Sequence, residues 1–474
     1  MGNSSVPPYE QGLKETKAKN EEEVDIPKII CKNWNEIYYI NNYFDIRDVT
    51  YEIKAVGLSD FMNFNSFNFS FDPSTIIEIL LFEIDGEKQI NYQIKDNYLI
   101  FKINLKNLET NKIHIKYKEF PKQIQMPEEE KVFKDLIQTK YYSLSENLIG
   151  QKAKYILINQ SDFEIINLDN EIFIKKNDNE YYWEGIVPEE DRKTKVCLSK
   201  KEGLVNFYEK QGIKTTDNSL IKNSDLKIPF SYINGNNETI KLEYHSKPTA
   251  EINIDKNNKI YDIKFQNINS DKAEFILEGE FKNKCKGDWV VNLTNEEIDS
   301  LIPNDFKENK EFFKKIANDI INEYDKKHQN DLIKVPDIVK IGKWVHKNIM
   351  YDIRYYGLNQ ITATETFKNK RGVNDHITKL FNALIYSLGY QVLYAFGFAL
   401  SVKNTFEYSD CHCWSLININ KNGQRWLPFD ATWGIFSGKL PITHIFMKFG
   451  TNGAKLITGD KADLEQTYIK GSIK

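Results

Sequence analysis

An α+β chain, strand-rich for its first two thirds and helical before a final run of strands, is predicted by three features of this sequence. Short segments rich in β-branched and aromatic residues recur from Ile30 to Asn292, with turn signals between them. Apolar residues at helical spacing begin only near Glu308. The 474 residues are 41% hydrophobic and 13% aromatic, enough to fill roughly three packed cores.

The first 25 residues are polar and read as a flexible arm. Met1-Gly2-Asn3-Ser4-Ser5 is similar to an N-myristoylation start with Gly2 as the acceptor, although Val6 stands where Ser or Thr is preferred. One acyl chain gives only marginal, reversible membrane contact, and the bases from Lys14 to Lys19 are offset by Glu21-Glu22-Glu23.

Residues 26–125 carry Thr50 to Val56, Phe67 to Phe71, Ile76 to Ile84, Tyr98 to Ile103 and Lys112 to Tyr117, with a turn at Asp85-Gly86. This spacing predicts an immunoglobulin-like β-sandwich. Residues 126–150 open on Glu128-Glu129-Glu130 and read as a helical start followed by a linker. A second β-rich region spans 151–302, as one unit or as two divided between Gly212 and Asp225. Helical patterns at Glu308 to Lys327 and Pro336 to Met350 then introduce a domain over 303–474.

Within that domain Ile377, Leu380, Phe381, Leu384, Ile385 and Leu388 recur every three or four residues, and Gly389 follows as a stop. Arg371-Gly372-Val373 delivers the chain to this helix and places Asn374 at or beside its N-cap. Gln391 to Leu400, Trp414 to Ile419 and Trp426 to Phe429 are strand candidates, so the order is helix, then strands.

A net charge of −4 and a pI near 6.1 give no bulk electrostatic reason to bind nucleic acid or an anionic membrane. Cysteines at 31, 197, 285, 411 and 413 form no spaced framework, which favours a reducing, cytoplasmic setting. No apolar run approaches the roughly 18 residues of a membrane span, and no secretory leader is visible.

Thr364-Glu365-Thr366-Phe367, Gly372-Val373, Leu380-Phe381, Ala383-Leu384, Gly397, His412-Cys413-Trp414 and Trp426-Leu427-Pro428-Phe429-Asp430-Ala431-Thr432-Trp433 occur in this order. Over roughly residues 305–450 the chain thereby resembles the transglutaminase-like superfamily of papain-related fold, which includes kyphoscoliosis-type peptidases. The resemblance implies a Cys-His-Asp constellation in which a thiolate attacks a carbonyl, an imidazole moves the proton and a carboxylate orients the imidazole. Carried over residue by residue, His412 takes the place of the base and Asp430 that of the carboxylate. Position 374 takes the place of the nucleophile, and it is asparagine.

An amide is a poor nucleophile, so no acyl-enzyme chemistry is expected through Asn374. The residue can instead cap the helix or hydrogen-bond to His412. Cys411 and Cys413 alternate with His412 along an extended chain and should face away from the imidazole. Neighbours on a strand cannot share one metal ion, so no metal site is expected from Cys411, His412 and Cys413, with or without His376. His376 reads as a helix-surface or groove residue and His444 as structural.

No cofactor is expected. The chain reads as a catalytically inactive, protein-binding scaffold within a larger assembly, and the family analogy points to cytoskeletal or ciliary settings. The alternative is an active cysteine-type peptidase or acyltransferase with a relocated nucleophile.

Overall fold

The computed structural model describes residues 28–42, 44–56, 67–70, 75–95, 98–103, 109–121, 136–143, 151–168, 174–177, 179–187, 193–229, 237–255, 260–285, 287–291, 293–328, 335–358, 360–420, 425–450, 455–458, 462–465 and 467–474. The N-terminal arm and Gly2 lie outside them.

Alternation of apolar and polar residues builds the first layer. In the strand Lys152–Asn159, Ala153, Tyr155 and Leu157 are buried and their neighbours face outward. This strand pairs in parallel with Lys28–Ile40, which in turn pairs antiparallel with Asp45–Val56. The result is one eight-stranded sheet that draws strands from both sides of residues 126–150.

The expected domain borders are corrected accordingly. Residues 137–143, assigned to a helical linker, form the strand Ile137–Ser143 paired with Lys193–Lys200. The unit expected at 26–125 is part of a larger mixed sheet, and not a self-contained immunoglobulin-like sandwich. The cause is burial: Tyr155 and Leu157 share one core with Val49, Tyr51 and Ile53, so neither segment hides its apolar face alone. Arg47 lies inside this layer, 3.2 Å from Glu36 and 2.9 Å from Glu119.

A second core lies between two further sheets. One contains Asn237–Lys247, Lys272–Lys284, Glu202–Thr215, Tyr468–Ile473 and Thr405–Glu407 in that order. The other contains Glu251–Asp255, Ile260–Gln266, Asn223–Pro229 and Lys455–Thr458. The C-terminal strands therefore complete the middle β-domain, although the sequence suggested that they belong to the domain over 303–474. Ile469 and Ile473 are buried in that core.

Helices Lys310–Lys327, Asp337–Asn348, Ala363–Asn369 and Asn374–Ser387 pack beside a sheet ordered Trp426–Phe429, Cys411–Asn418, Gln391–Ala399, His444–Phe449. The long helix expected from Glu308 is broken at Asn309, between Asn304–Glu308 and Lys310–Lys327. Asn374–Ser387 is buried on several faces, since His376, Thr378, Asn382 and Ser387 join its apolar residues inside. Gly389, at φ +88°, ends it as a glycine with left-handed freedom can. Gly397 has no room for a Cβ, which would overlap the Ile445 carbonyl and the Trp414 ring.

Residues 437–444 tie the C-terminal domain to both β-layers. Lys439 meets Glu164 at 2.8 Å, the Ser437 hydroxyl donates to the Ile166 carbonyl, and the Ser199 hydroxyl accepts from Ile442 N at 3.0 Å. The Asn283 amide donates to the His444 carbonyl at 3.0 Å. Among the described residues no helix is long and apolar enough to cross a membrane.

Candidate functional site

The turn Arg371–Gly372 leads through Val373, which occupies the N-cap, so Asn374 is the first helical residue. The position is one where unpaired amides and the helix dipole favour negative charge. The Asn374 side-chain oxygen accepts from Asp375 N at 2.7 Å. Its NH2 donates to the Cys411 carbonyl at 3.1 Å and meets His412 Nδ1 at 3.2 Å. Of the two roles expected for Asn374, the contact with His412 is present and the N-cap is filled by Val373.

These contacts fix the imidazole. A Nδ1 that faces an amide donor must accept, so the proton resides on Nε2. That Nε2 donates to Asp430 Oδ2 at 2.7 Å. The other oxygen of Asp430 accepts from the backbone N–H groups of Thr432 and Trp433 at 2.8 and 3.0 Å. Burial alone would raise the Asp430 carboxyl, but the electrostatic pull and hydrogen bond of His412 and the hydrogen bond of His444 overcome it. They hold it well below the usual carboxylate range.

His444 was read as structural from the sequence. The structure brings its Nε2 to 2.9 Å from Asp430 Oδ2, the same oxygen that His412 uses. Burial lowers its pKa against the pull of Asp430. His444 follows Pro441-Ile442-Thr443 at the start of an edge strand, and nothing in its local sequence reports a carboxylate fourteen positions earlier.

His376 requires a correction. It is no surface or groove residue but is 1% exposed. Its Nδ1 accepts from Val373 N at 3.3 Å and its Nε2 meets the Leu358 carbonyl at 3.0 Å, so it braces the turn before the helix. A polar residue one turn into a helix carries no sequence sign of this role.

The two neighbouring thiols face away from the imidazole, as strand alternation requires. Cys411 packs toward the middle β-core, and burial pushes its pKa up to about 12. Cys413 is buried against Tyr394, whose hydroxyl donates to Asp375 at 2.5 Å. Burial raises the Cys413 thiol well above its ordinary value. Neither thiol is disposed to ionise near neutrality.

His412, Asp430 and His444 place one ligand atom each within 4.8 Å of one another. Hydrogen-bond polarity argues against a metal there. A metal on His412 Nε2 would move the proton to Nδ1, facing the Asn374 NH2 donor. Rotating that amide would set its oxygen against the Cys411 carbonyl and its NH2 against Asp375 N. His444 Nδ1, buried without a partner, lacks the supporting acceptor a metal-bound histidine usually has.

Helix, strands and an aligned His-Asp pair define a papain-like α+β site. Residues 317–431 match the family model described as Transglutaminase-like superfamily. This part of the chain is a transglutaminase-like domain. A comparison with curated proteins found no match. Among solved structures, a candidate cysteine protease from Cytophaga hutchinsonii is 15% identical, with a TM-score of 0.39 over 57% of this chain and 91% of that one. Leukotriene A4 hydrolase from Saccharomyces cerevisiae is 10% identical, with a TM-score of 0.25 over 39% of this chain and 32% of the enzyme. An M1 zinc metallopeptidase from Deinococcus radiodurans is 8% identical, with a TM-score of 0.24 over 37% of this chain and 43% of that one. All three scores are low, and none of these likenesses bears on the activity of this chain.

Proposed function

We propose that the chain is a non-catalytic member of this superfamily and that its degenerate cleft serves protein recognition within an intracellular assembly, cytoskeletal or ciliary in type. One observation supports the reading: the amide of Asn374, the position that the family resemblance assigns to the nucleophile, donates to His412 Nδ1, the nitrogen that would receive a thiol proton. The amide preserves the tautomer and the His412 contact with Asp430, and it supplies no group able to form an acyl-enzyme. The remote disposition of Cys411 and Cys413 supports the same conclusion. The assembly setting rests on family analogy alone.

The test is turnover by the purified wild-type protein, offered a mixed peptide pool with and without a primary amine. No cleavage and no amine incorporation are expected by mass spectrometry. Turnover that disappears in Cys411→Ser or Cys413→Ser would replace this reading with a relocated-nucleophile enzyme.

A further inference from the structure

The segment paired with the turn before Asn374 exposes several large apolar groups. Met350 is 59% exposed, Ile353 65%, Tyr356 58% and Leu358 50%, and Tyr351 and Tyr408 are also exposed. Three of them are neighbours: Tyr351 and Tyr408 each interact electrostatically with Tyr356, and Ile353 stands one 3-10 turn before Tyr356. Met350–Tyr351 pairs in parallel with Arg371–Gly372, immediately before Asn374. The outer edge of this two-stranded ribbon has no strand partner among the described residues.

Charge is unevenly spread along the same stretch of sequence. Residues 343–371 contain Lys343, Lys347, Arg354, Lys368, Lys370 and Arg371 against Asp352 and Glu365, a formal net of +4 in a chain whose total is −4. Asp352 is already committed: Arg354 grips it bidentately at 2.9 and 2.7 Å, and Arg371 reaches it only at 3.6 Å. Lys370 lies over the Phe367 ring at 3.6 Å and the Trp344 ring at 4.5 Å. Exposed tyrosines and arginines around an apolar centre are the composition of protein-recognition surfaces.

We propose that this rim docks an extended, acidic peptide segment of a partner protein, its apolar side chains on Tyr351, Ile353 and Tyr356 and its carboxylates against Arg371 and Lys370. The assignment deepens the non-catalytic reading and rests on it. The open ribbon edge suits strand addition, in which backbone hydrogen bonds give affinity and alternate side chains give selectivity. The excess of positive charge along residues 343–371, which Glu407 and Asp410 beside Tyr408 reduce but do not reverse, sets the sign of the partner.

The test uses the intact protein and a short labelled peptide alternating Glu with Leu and Tyr, followed by fluorescence anisotropy. Controls are the same peptide with Lys for Glu, and vesicles of mixed phosphatidylserine and phosphatidylcholine. Saturable binding of the acidic peptide is expected, weakening with added salt. Arg371→Glu and Ile353→Ser, both exposed and checked by thermal melting, should each weaken it roughly tenfold, while Lys152→Glu on the distant β-domain should not.

Equal binding of the Lys peptide, or binding unaffected by Arg371→Glu and Ile353→Ser, would overturn the proposal. So would association with vesicles but not peptide, or sedimentation showing that the rim only joins two copies of the chain. Mass spectrometry of the incubated peptide separates the two levels of claim. Cleavage of a bound peptide would sink the non-catalytic reading and leave the docking surface standing, whereas an intact, unbound peptide would sink the docking surface alone.

Discussion

Asp430 and His444 share a contact that the neighbouring His412 also makes: two imidazole Nε2 atoms, at 2.7 and 2.9 Å, converge on one carboxylate oxygen in a fully buried site. The carboxylate therefore holds together the helix-facing strand Cys411–Asn418 and the edge strand His444–Phe449, besides orienting one ring.

That arrangement makes Asp430→Ala costly. It removes the charge that satisfies two histidines and two backbone donors, and breaking a buried pair in this way costs about 3–5 kcal/mol. Urea unfolding of the variant at neutral pH should show such a loss, with Asp430→Asn losing less because its amide oxygen still accepts. A loss within measurement error for Asp430→Ala would mean that the site is wet and loosely packed.

Acid should weaken the fold in two steps. The pKa values of His444 and His376 are lowered by burial, so their contribution is fully present above the unfolded histidine value near 6.5 and is lost as pH falls below it. The depressed Asp430 carboxyl contributes above the unfolded value near 3.9 and is lost as pH falls further. Denaturation between pH 8 and 5 checks the first step. His444→Gln, which keeps a donor for Asp430 but cannot titrate, should flatten that dependence.

Glu209 runs the other way. Burial raises its carboxyl to about 7, partly offset by Lys448. A raised acid contributes most below its unfolded value and loses that contribution as pH rises through the folded one. Glu209→Gln should therefore gain stability relative to wild type as pH rises from about 5 to 8. A constant difference across that range would show that Glu209, which retains some exposed surface, is effectively hydrated.

The C-terminal strand offers a test of the domain borders. Ile473 is fully buried in the middle β-core, and its strand bridges Glu202–Thr215 to Thr405–Glu407, just before the His412 strand. Ile473→Ala should cost about 2–5 kcal/mol and destabilise the middle β-domain along with the helical one. Hydrogen exchange confined to residues 303–450 would instead place the strand with the helical domain.

What the sequence disclosed follows from how local each signal is. The helix from Asn374 is legible because its apolar spacing and Gly389 lie within one segment. His412 and Asp430 are legible because ordered motifs surround them. Alternation along Cys411, His412 and Cys413 predicts both thiols away from the imidazole, and Cys411 packs on the middle β-core while Cys413 lies against Tyr394. His444, the bracing role of His376 and the membership of the C-terminal strands depend on contacts across the chain, such as the Gln211 side chain donating to the Glu465 carbonyl at 2.7 Å. No local periodicity encodes such partners. The border expected near 125–150 failed for the same reason: a strand's pattern shows that it needs a core, and not which one.

The most direct test of the account is the thiol of the Asn374→Cys variant, titrated by the pH dependence of its alkylation. With His412 held by Asp430 and the helix start beneath it, the new thiol should ionise at about 3.5–7.5, below the ordinary value near 8.5, and react well before the five native cysteines. A thiol that titrates at or above the ordinary value, or that alkylates no faster than Cys411 and Cys413, would contradict the claim that an amide stands in for a nucleophile beside a preserved His-Asp pair.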